Sequence, residues 1–267
     1  MNFQFVALDL DGTLLDNQKR ISPQNVETIN RLQSKGVQFI FISGRHYHEI
    51  IEPLTIHGIA DIHYVVSRDG QYIYRDGQII HEGSQLSMSD IEYILQLSDA
   101  RQIFCSNIEH DFIIYRSVYR FLRARVWNRK GDRTIHVPLI LAKLKRYVVG
   151  KAIFFSGELK TTTIYAKMRE YFTVHYVNNR EYDVFPLDVN KYAALKWLSE
   201  YENISLNNLL YFGDDYNDIE CFEHLPHCVV MGNAPQDLQS YSTYSNVLSN
   251  NQSGVAELLN HLYVNIN

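Results

Sequence analysis

Cysteine is scarce in this 267-residue chain: there are three, Cys105, Cys221 and Cys228, and none lies in a C-x-x-C pair. That excludes an even disulfide framework and makes a reduced, cytoplasmic protein the expectation. Long apolar runs are missing too. The longest, such as Val137 to Ala142, fall far short of the ~20 residues that a membrane span needs. The N-terminus has no basic flank, and Asp9 and Asp11 break its apolar stretch, so no signal peptide is expected. There is no internal repeat and no low-complexity segment. What is present is ordinary globular composition, 46% hydrophobic and 21% charged. Wholesale disorder is excluded, and the length supplies a core for one large domain or two small ones.

Charge is uneven along the chain. Residues 83–182 hold 16 Lys/Arg against 9 Asp/Glu, a balance of +7, and the remainder holds 9 against 21, a balance of -12. A basic segment inside an acidic remainder suggests two domains, one inserted into the other. The expected division is 1–82, an inserted 83–182, and 183–267. A basic wall facing an acidic one would suit an anionic ligand held with a cation. Solvated faces would carry the same charges.

The apolar pattern points to an α/β core. Phe5 to Leu10 has strand length and ends in carboxylates. Ser22 and Pro23 read as an N-cap and first helical residue, and Gly36 as a C-cap. Val37 to Ile42 and His63 to Ser67 are further strands, with a short helix from His46 between them. This alternation predicts a doubly wound parallel sheet with crossover helices. Asp76-Gly77 predicts a tight hairpin turn. The middle segment mixes helix and strand, opening at a capping box of Ser87 and Asp90. From Asp183 the first pattern resumes: a helix capped by Asn190, a strand Leu209 to Phe212, a helix Asp218 to His224 and a strand Cys228 to Met231.

Four strand ends carry polar groups in turn. The first bears Asp9-Leu10-Asp11-Gly12-Thr13. Alternation puts Asp9 and Asp11 on one side, and two such close carboxylates stay ionised only if a cation compensates. Mg²⁺ suits hard oxygen ligands. A lone D-x-D is more often a turn or cap. Ser43-Gly44-Arg45, however, places a hydroxyl and backbone N–H groups before a helix, where anions bind. Lys191 opens another helix, and Gly213-Asp214-Asp215-Tyr216-Asn217-Asp218 follows the fourth strand. In open α/β sheets ligands gather at such strand ends.

In this order the motifs resemble those of the haloacid-dehalogenase superfamily of phosphohydrolases, in its Cof-type branch. Met231-Gly232-Asn233-Ala234 and Ser253-Gly254-Val255 resemble that branch as well. The likeness covers residues 1–82 and 183–267, and implies an inserted α+β cap over 83–182. It implies Asp9 as the nucleophile that forms an aspartyl-phosphate, and Asp11 as the acid that protonates the leaving alcohol and then activates water. It implies Mg²⁺ on Asp9, the backbone carbonyl of Asp11, and Asp214. Asp218 would support the metal's water shell or orient Lys191. Ser43, Gly44, Arg45, Asn217 and Lys191 would bind phosphoryl oxygens. The implied activity is hydrolysis of small phosphorylated metabolites such as sugar phosphates. A phosphotransferase or phosphomutase with the same intermediate, or a phospholigand-binding protein without turnover, are the alternatives. A monomer or weak homo-oligomer is expected, with no membrane partner.

Some positions depart from the branch. Asp69-Gly70 stands where Asn-Gly is usual, with Arg68 before it; Asp188 and Tyr192 replace glycines flanking Lys191. Tyr192 could narrow the entrance or pack against its loop. Two other clusters stand out. Arg116, Arg120, Arg123, Arg125, Arg129, Lys130 and Arg133 are interleaved with Tyr119, Phe121 and Trp127. The acidic chain and the lack of a nucleic-acid motif argue against nucleic acid there, leaving a surface that draws anionic substrates or a solvated face. Cys221, His224, His227 and Cys228 match no familiar zinc spacing, and ordinary packing is expected.

Overall fold

Apolar runs alternate with capped helices from the N-terminus onward. β1 (Phe5–Asp9) leads through α1 (Pro23–Gln33) to β2 (Gln38–Ile42), and through α2 (Tyr47–Ile56) to β3 (Tyr64–Ser67). Ser22 caps α1 by accepting from the Asn25 N–H at 3.2 Å, with Pro23 next in line. The hairpin β4 (Tyr72–Arg75) and β5 (Gln78–Glu82) turns at Asp76 and Gly77, both at positive φ as a primed turn requires. The computed structural model describes residues 3–98, 100–108, 111–127, 134–155, 162–177 and 181–263.

The chain forms two compact units, Met1–Glu82 with Asn190–Asn267, and Gly83–Val189. The second comprises α3 (Met88–Ser98), β6 (Gln102–Ser106), β7 (Asp111–Tyr115), α4 (Val118–Trp127), β8 (Ile135–Pro138), α5 (Leu139–Leu144), β9 (Lys151–Phe155), α6 (Thr162–Arg169), β10 (Phe172–Val177) and β11 (Glu181–Pro186). Its six strands are ordered β10–β11–β9–β6–β7–β8, antiparallel except for β7 with β8. Ser87 and Asp90 cap α3 reciprocally, as the sequence predicts. Ile91, Ile94 and Leu95 of α3, Ala142 of α5 and Met168 of α6 pack with Ile103, Cys105, Ile114, Val174 and Val184 of the strands.

Two details differ from the sequence reading. This unit runs to Val189 rather than 182, because β11 pairs with both β10 and β9. The apolar run Val137 to Ala142 is divided, since Pro138 ends β8 and caps α5. Arg116, Arg120 and Arg123 are exposed on or beside α4, whereas Arg129, Lys130 and Arg133 lie outside the described residues.

The chain returns to the first unit with α7 (Lys191–Tyr201), β12 (Leu209–Gly213), α8 (Ile219–His224), β13 (Cys228–Val230) and α9 (Gly254–Leu262). The seven-stranded sheet is ordered β13–β12–β1–β2–β3–β4–β5, parallel from β13 to β3. Val6 and Leu8 join the core under α1, α2 and α9, while Ala7 faces α7 and α8. β2 and β3 extend the sheet on one side of β1, and β12 and β13 on the other. The order of the chain therefore reverses beside β1, and the crevice at its carboxyl end lies between Asp9 and the loop after β12. No helix among the described residues is long and apolar enough to cross a membrane.

Gly70, after β3, sits against the start of α7. Its φ is +112°, and a Cβ there would lie 2.4 Å from the Asn190 carbonyl oxygen at the start of α7. Gly70→Ala should combine backbone strain with overpacking and destabilise the protein by about 2 kcal/mol or more. A lowered urea midpoint checks this. An unchanged midpoint would mean that the turn does not bear on α7 so closely.

Candidate active site

Asp9 is the last residue of β1, so its carboxyl emerges at the carboxyl end of the sheet while the strand behind it stays apolar. Asn190 caps α7 by accepting from the Ala193 N–H at 2.8 Å, which leaves Lys191 as the first helical residue. Lys191 is fully buried. Its Nζ donates to Asp9 Oδ1 at 2.7 Å and to Asp218 Oδ1 at 2.5 Å, and Asp69 Oδ1 lies 4.0 Å away.

Asp218 holds this ammonium in place. Its Oδ1 also accepts from the Tyr211 hydroxyl at 2.6 Å. Its Oδ2 accepts the backbone N–H groups of Asp214 at 2.8 Å and Asp215 at 3.1 Å. With both oxygens engaged, Asp218 is better placed to orient Lys191 and the Asp214 loop than to bind a metal's water. Asp214 accepts from Thr13 Oγ1 at 3.1 Å and from Asn233 Nδ2 at 3.1 Å. Gly12 lies against it: φ is +79°, and a Cβ would come within 2.0 Å of Asp214 Oδ2.

Negative charge exceeds positive here. Carboxylate oxygens of Asp9, Asp214 and Asp218 all lie within 4.8 Å of one another. Burial raises the Asp9 pKa well above the usual carboxylate range, and Lys191 only partly opposes it. Burial and then the Asp218 charge push Asp214 up to about 7. Burial works against the charge on Lys191, but Asp218, Asp9 and Asp69 outweigh it and raise its pKa, so it stays an ammonium. One ammonium cannot balance these carboxylates. Hard oxygen donors with uncompensated charge fit a divalent cation such as Mg²⁺, with Asp9 and Asp214 as the carboxylates left to hold it.

Asp11 is engaged differently. Arg45 grips it with two bonds, Nε to Oδ2 at 2.6 Å and Nη2 to Oδ1 at 2.6 Å, and Lys19 Nζ donates to Oδ1 at 2.5 Å. Burial opposes ionisation, but hydrogen bonds from Arg45 and Lys19 prevail and lower its pKa. The guanidinium of Arg45, which the sequence assigns to the anion site, thus binds Asp11 instead; fork-to-carboxylate geometry favours this pairing. Lys19 gives no motif signal. It reaches Asp11 because a turn at φ +61° carries it back, braced by hydrogen bonds between Asp16 and Arg20.

Ser43 is buried, with its N–H bound to Val66 O at 3.0 Å and its hydroxyl accepting from Arg45 N–H at 3.3 Å. Gly44 follows it directly. Asn217 donates from Nδ2 to Asp69 Oδ1 at 3.1 Å. Thus Asp9, Lys191, Asp214 and Asp218 share one cluster, and Asn217 joins it through Asp69. Thr13, Tyr211 and Asn233 complete it. Tyr211 escapes sequence reasoning because it reads as a strand position; Thr13 and Asn233 belong to recognisable motifs without a stated task.

The other sequence features are packing. Cys228 Sγ donates to the Cys221 carbonyl at 3.2 Å, His224 packs on Tyr192 with ring centres 4.9 Å apart, and His227 meets Phe3 edge-on. Tyr192 packs on His224 of α8 rather than on its adjoining loop.

Residues 6–259 match the family model of haloacid dehalogenase-like hydrolases. The HMP-PP phosphatase of Serratia proteamaculans is 26% identical, over 97% of this chain and 95% of that protein. The Escherichia coli HMP-PP phosphatase is 25% identical over 89% and 87% respectively. A haloacid dehalogenase-like hydrolase from B. subtilis shares the fold with a TM-score of 0.77 at 22% identity, covering 97% of this chain and 99% of its own. A subclass IIB sugar phosphatase gives 0.78 at 17%, covering 97% and 99%. With the strand-end carboxylates and their buried lysine, these matches place the chain in the haloacid dehalogenase-like hydrolase family, in its Cof-type branch, as a phosphatase.

Proposed function

We propose that this phosphatase hydrolyses small phosphate monoesters, sugar phosphates or related metabolites, with Mg²⁺ and through an aspartyl-phosphate at Asp9. The observation that carries this reading is the buried Lys191 ammonium joined to Asp9 and Asp218, with Asp214 beside them. Relatives named HMP-PP phosphatases and a sugar phosphatase of the same fold support a small phosphorylated substrate.

A carboxylate oxygen of Asp9 attacks phosphorus, and the bond from phosphorus to the ester oxygen breaks. Asp11 gives that oxygen its proton, then takes one from the water that hydrolyses the aspartyl-phosphate. Arg45 and Lys19 hold Asp11 as a carboxylate, so part of this clamp opens and Asp11 takes up a proton from solvent before it can donate one. Lys191, Ser43, the Gly44 N–H and Asn217 bind and orient the phosphoryl oxygens. Mg²⁺, held by Asp9, the Asp11 carbonyl and Asp214, would offset the charge of an anionic nucleophile meeting an anionic ester.

Asp9→Asn removes the nucleophile but retains shape and an oxygen acceptor for Lys191, which stays paired with Asp218. Turnover of a chromogenic phosphate ester should fall at least ~1,000-fold, the scale of a lost nucleophile, while the melting temperature in chelator does not fall. Activity within about tenfold of the wild type would rule Asp9 out as nucleophile.

The Asp214 pKa gives a pH test. Its folded value of about 7 exceeds the usual 3.8, so between these the folded state holds the proton more tightly than the unfolded state. Stability from this group is complete below the lower value and is lost as pH rises through the upper one. In chelator the melting temperature should therefore drop between pH 5 and pH 8, roughly the window set by linkage. Mg²⁺ should restore more stability at the upper end, where it competes with fewer protons. Equal stabilisation at both ends would count against Asp214 as a ligand.

A further inference from the structure

Asp69 lies at the proposed phosphoryl site, although neither the reaction nor the metal requires it. The turn that presents it is costly in conformation. Arg68 and Asp69 are consecutive non-glycine residues at φ of 53° and 52°, followed by Gly70 at 112°. Left-handed conformations are disfavoured for most side chains, and such runs persist where their surroundings over-determine them. Here the turn is tied to the anion loop: Asp69 N–H donates to Ser43 O at 3.0 Å and Arg68 N–H to Arg45 O at 3.0 Å. On the opposite side Gly70 abuts the Asn190 carbonyl at the start of α7.

The result is a buried carboxylate held between Ser43-Gly44 and Lys191. A Cβ on Gly44 would lie 2.7 Å from Asp69 Oδ2, so only glycine leaves room for it. Oδ1 accepts the Asn217 amide at 3.1 Å and lies 4.0 Å from Lys191 Nζ. Two groups assigned to phosphoryl oxygens, the Asn217 amide and the Lys191 ammonium, therefore share their surroundings with a negative charge. An anion bound there meets that charge at close range, while the same carboxylate fixes which way the Asn217 amide points.

We propose that Asp69 is a positioning residue that orients Asn217 and weakens the hold of the site on free phosphate, so that the product leaves readily. This rests on the reading of Ser43, Gly44, Lys191 and Asn217 as the phosphoryl site.

Calorimetric titration of inorganic phosphate into the full chain with Mg²⁺ tests it. Asp69→Asn keeps an acceptor for Asn217 and a residue type that tolerates the left-handed conformation, and should bind phosphate about tenfold or more tightly, as expected for removal of a unit charge a few ångströms from a bound anion. Phosphate should likewise inhibit turnover more strongly in this variant. Asp69→Ala loses both charge and acceptor, and should gain less than Asp69→Asn. A merely structural residue would not raise anion affinity when replaced. If the wild type binds phosphate and Asp69→Asn binds it no more tightly, the proposal is overturned while the site reading stands. Equal gains in both variants would overturn the orienting part. If neither wild type nor variant binds phosphate, the reading of the site fails and the proposal with it.

Discussion

The ammonium of Lys191 sits fully buried between Asp9 and Asp218, and the rest of the site is arranged around it. A buried ammonium is strongly disfavoured unless paired, and breaking such a pair leaves an uncompensated charge. That constraint binds together elements far apart in sequence: the end of β1, the start of α7 and the loop after β12. Each partner is held in turn. Asp218 is fixed by Tyr211 and two backbone N–H groups, Asp214 by Thr13 and Asn233. Glycines at 12, 44 and 70 let backbone and carboxylates approach as closely as this arrangement needs.

The same lysine is too little positive charge for its neighbours. Burial raises the pKa values of both Asp9 and Asp214, so in the protein alone their ionised forms are poorly supported. A nucleophilic carboxylate must be ionised to attack. The divalent cation of the proposed reaction would supply that missing support. Asp11 shows the opposite balance. Two cations hold it below the usual carboxylate range, so the proton transfer proposed for it would require movement of Arg45 or Lys19.

Much of this was legible before any coordinates. Strand-length apolar runs ending in Asp9, Ser43 and Asp214, and a capped helix opening with Lys191, mark one edge of a parallel sheet, because such sheets place every strand's carboxyl end on that edge. Side-chain partnerships were not legible. Arg45 reads equally well as a phosphate ligand or a carboxylate partner, and only the position of Asp11 decides. Lys19 and Asp69 depend on left-handed turns that spacing does not reveal. In the second unit, Pro138 hid a strand-to-helix junction inside an apolar run, and β11 read as the start of the returning core because its role depends on pairing with β10 and β9.

The most direct measurement concerns the covalent step at Asp9. A phosphate ester is mixed with the enzyme and Mg²⁺ under single-turnover conditions, quenched rapidly, reduced with borohydride and mapped by mass spectrometry. Borohydride converts an acyl phosphate of aspartate to homoserine, so homoserine at position 9, dependent on substrate and metal, is the predicted result. Homoserine at another carboxylate in place of position 9, with turnover intact, would contradict the account.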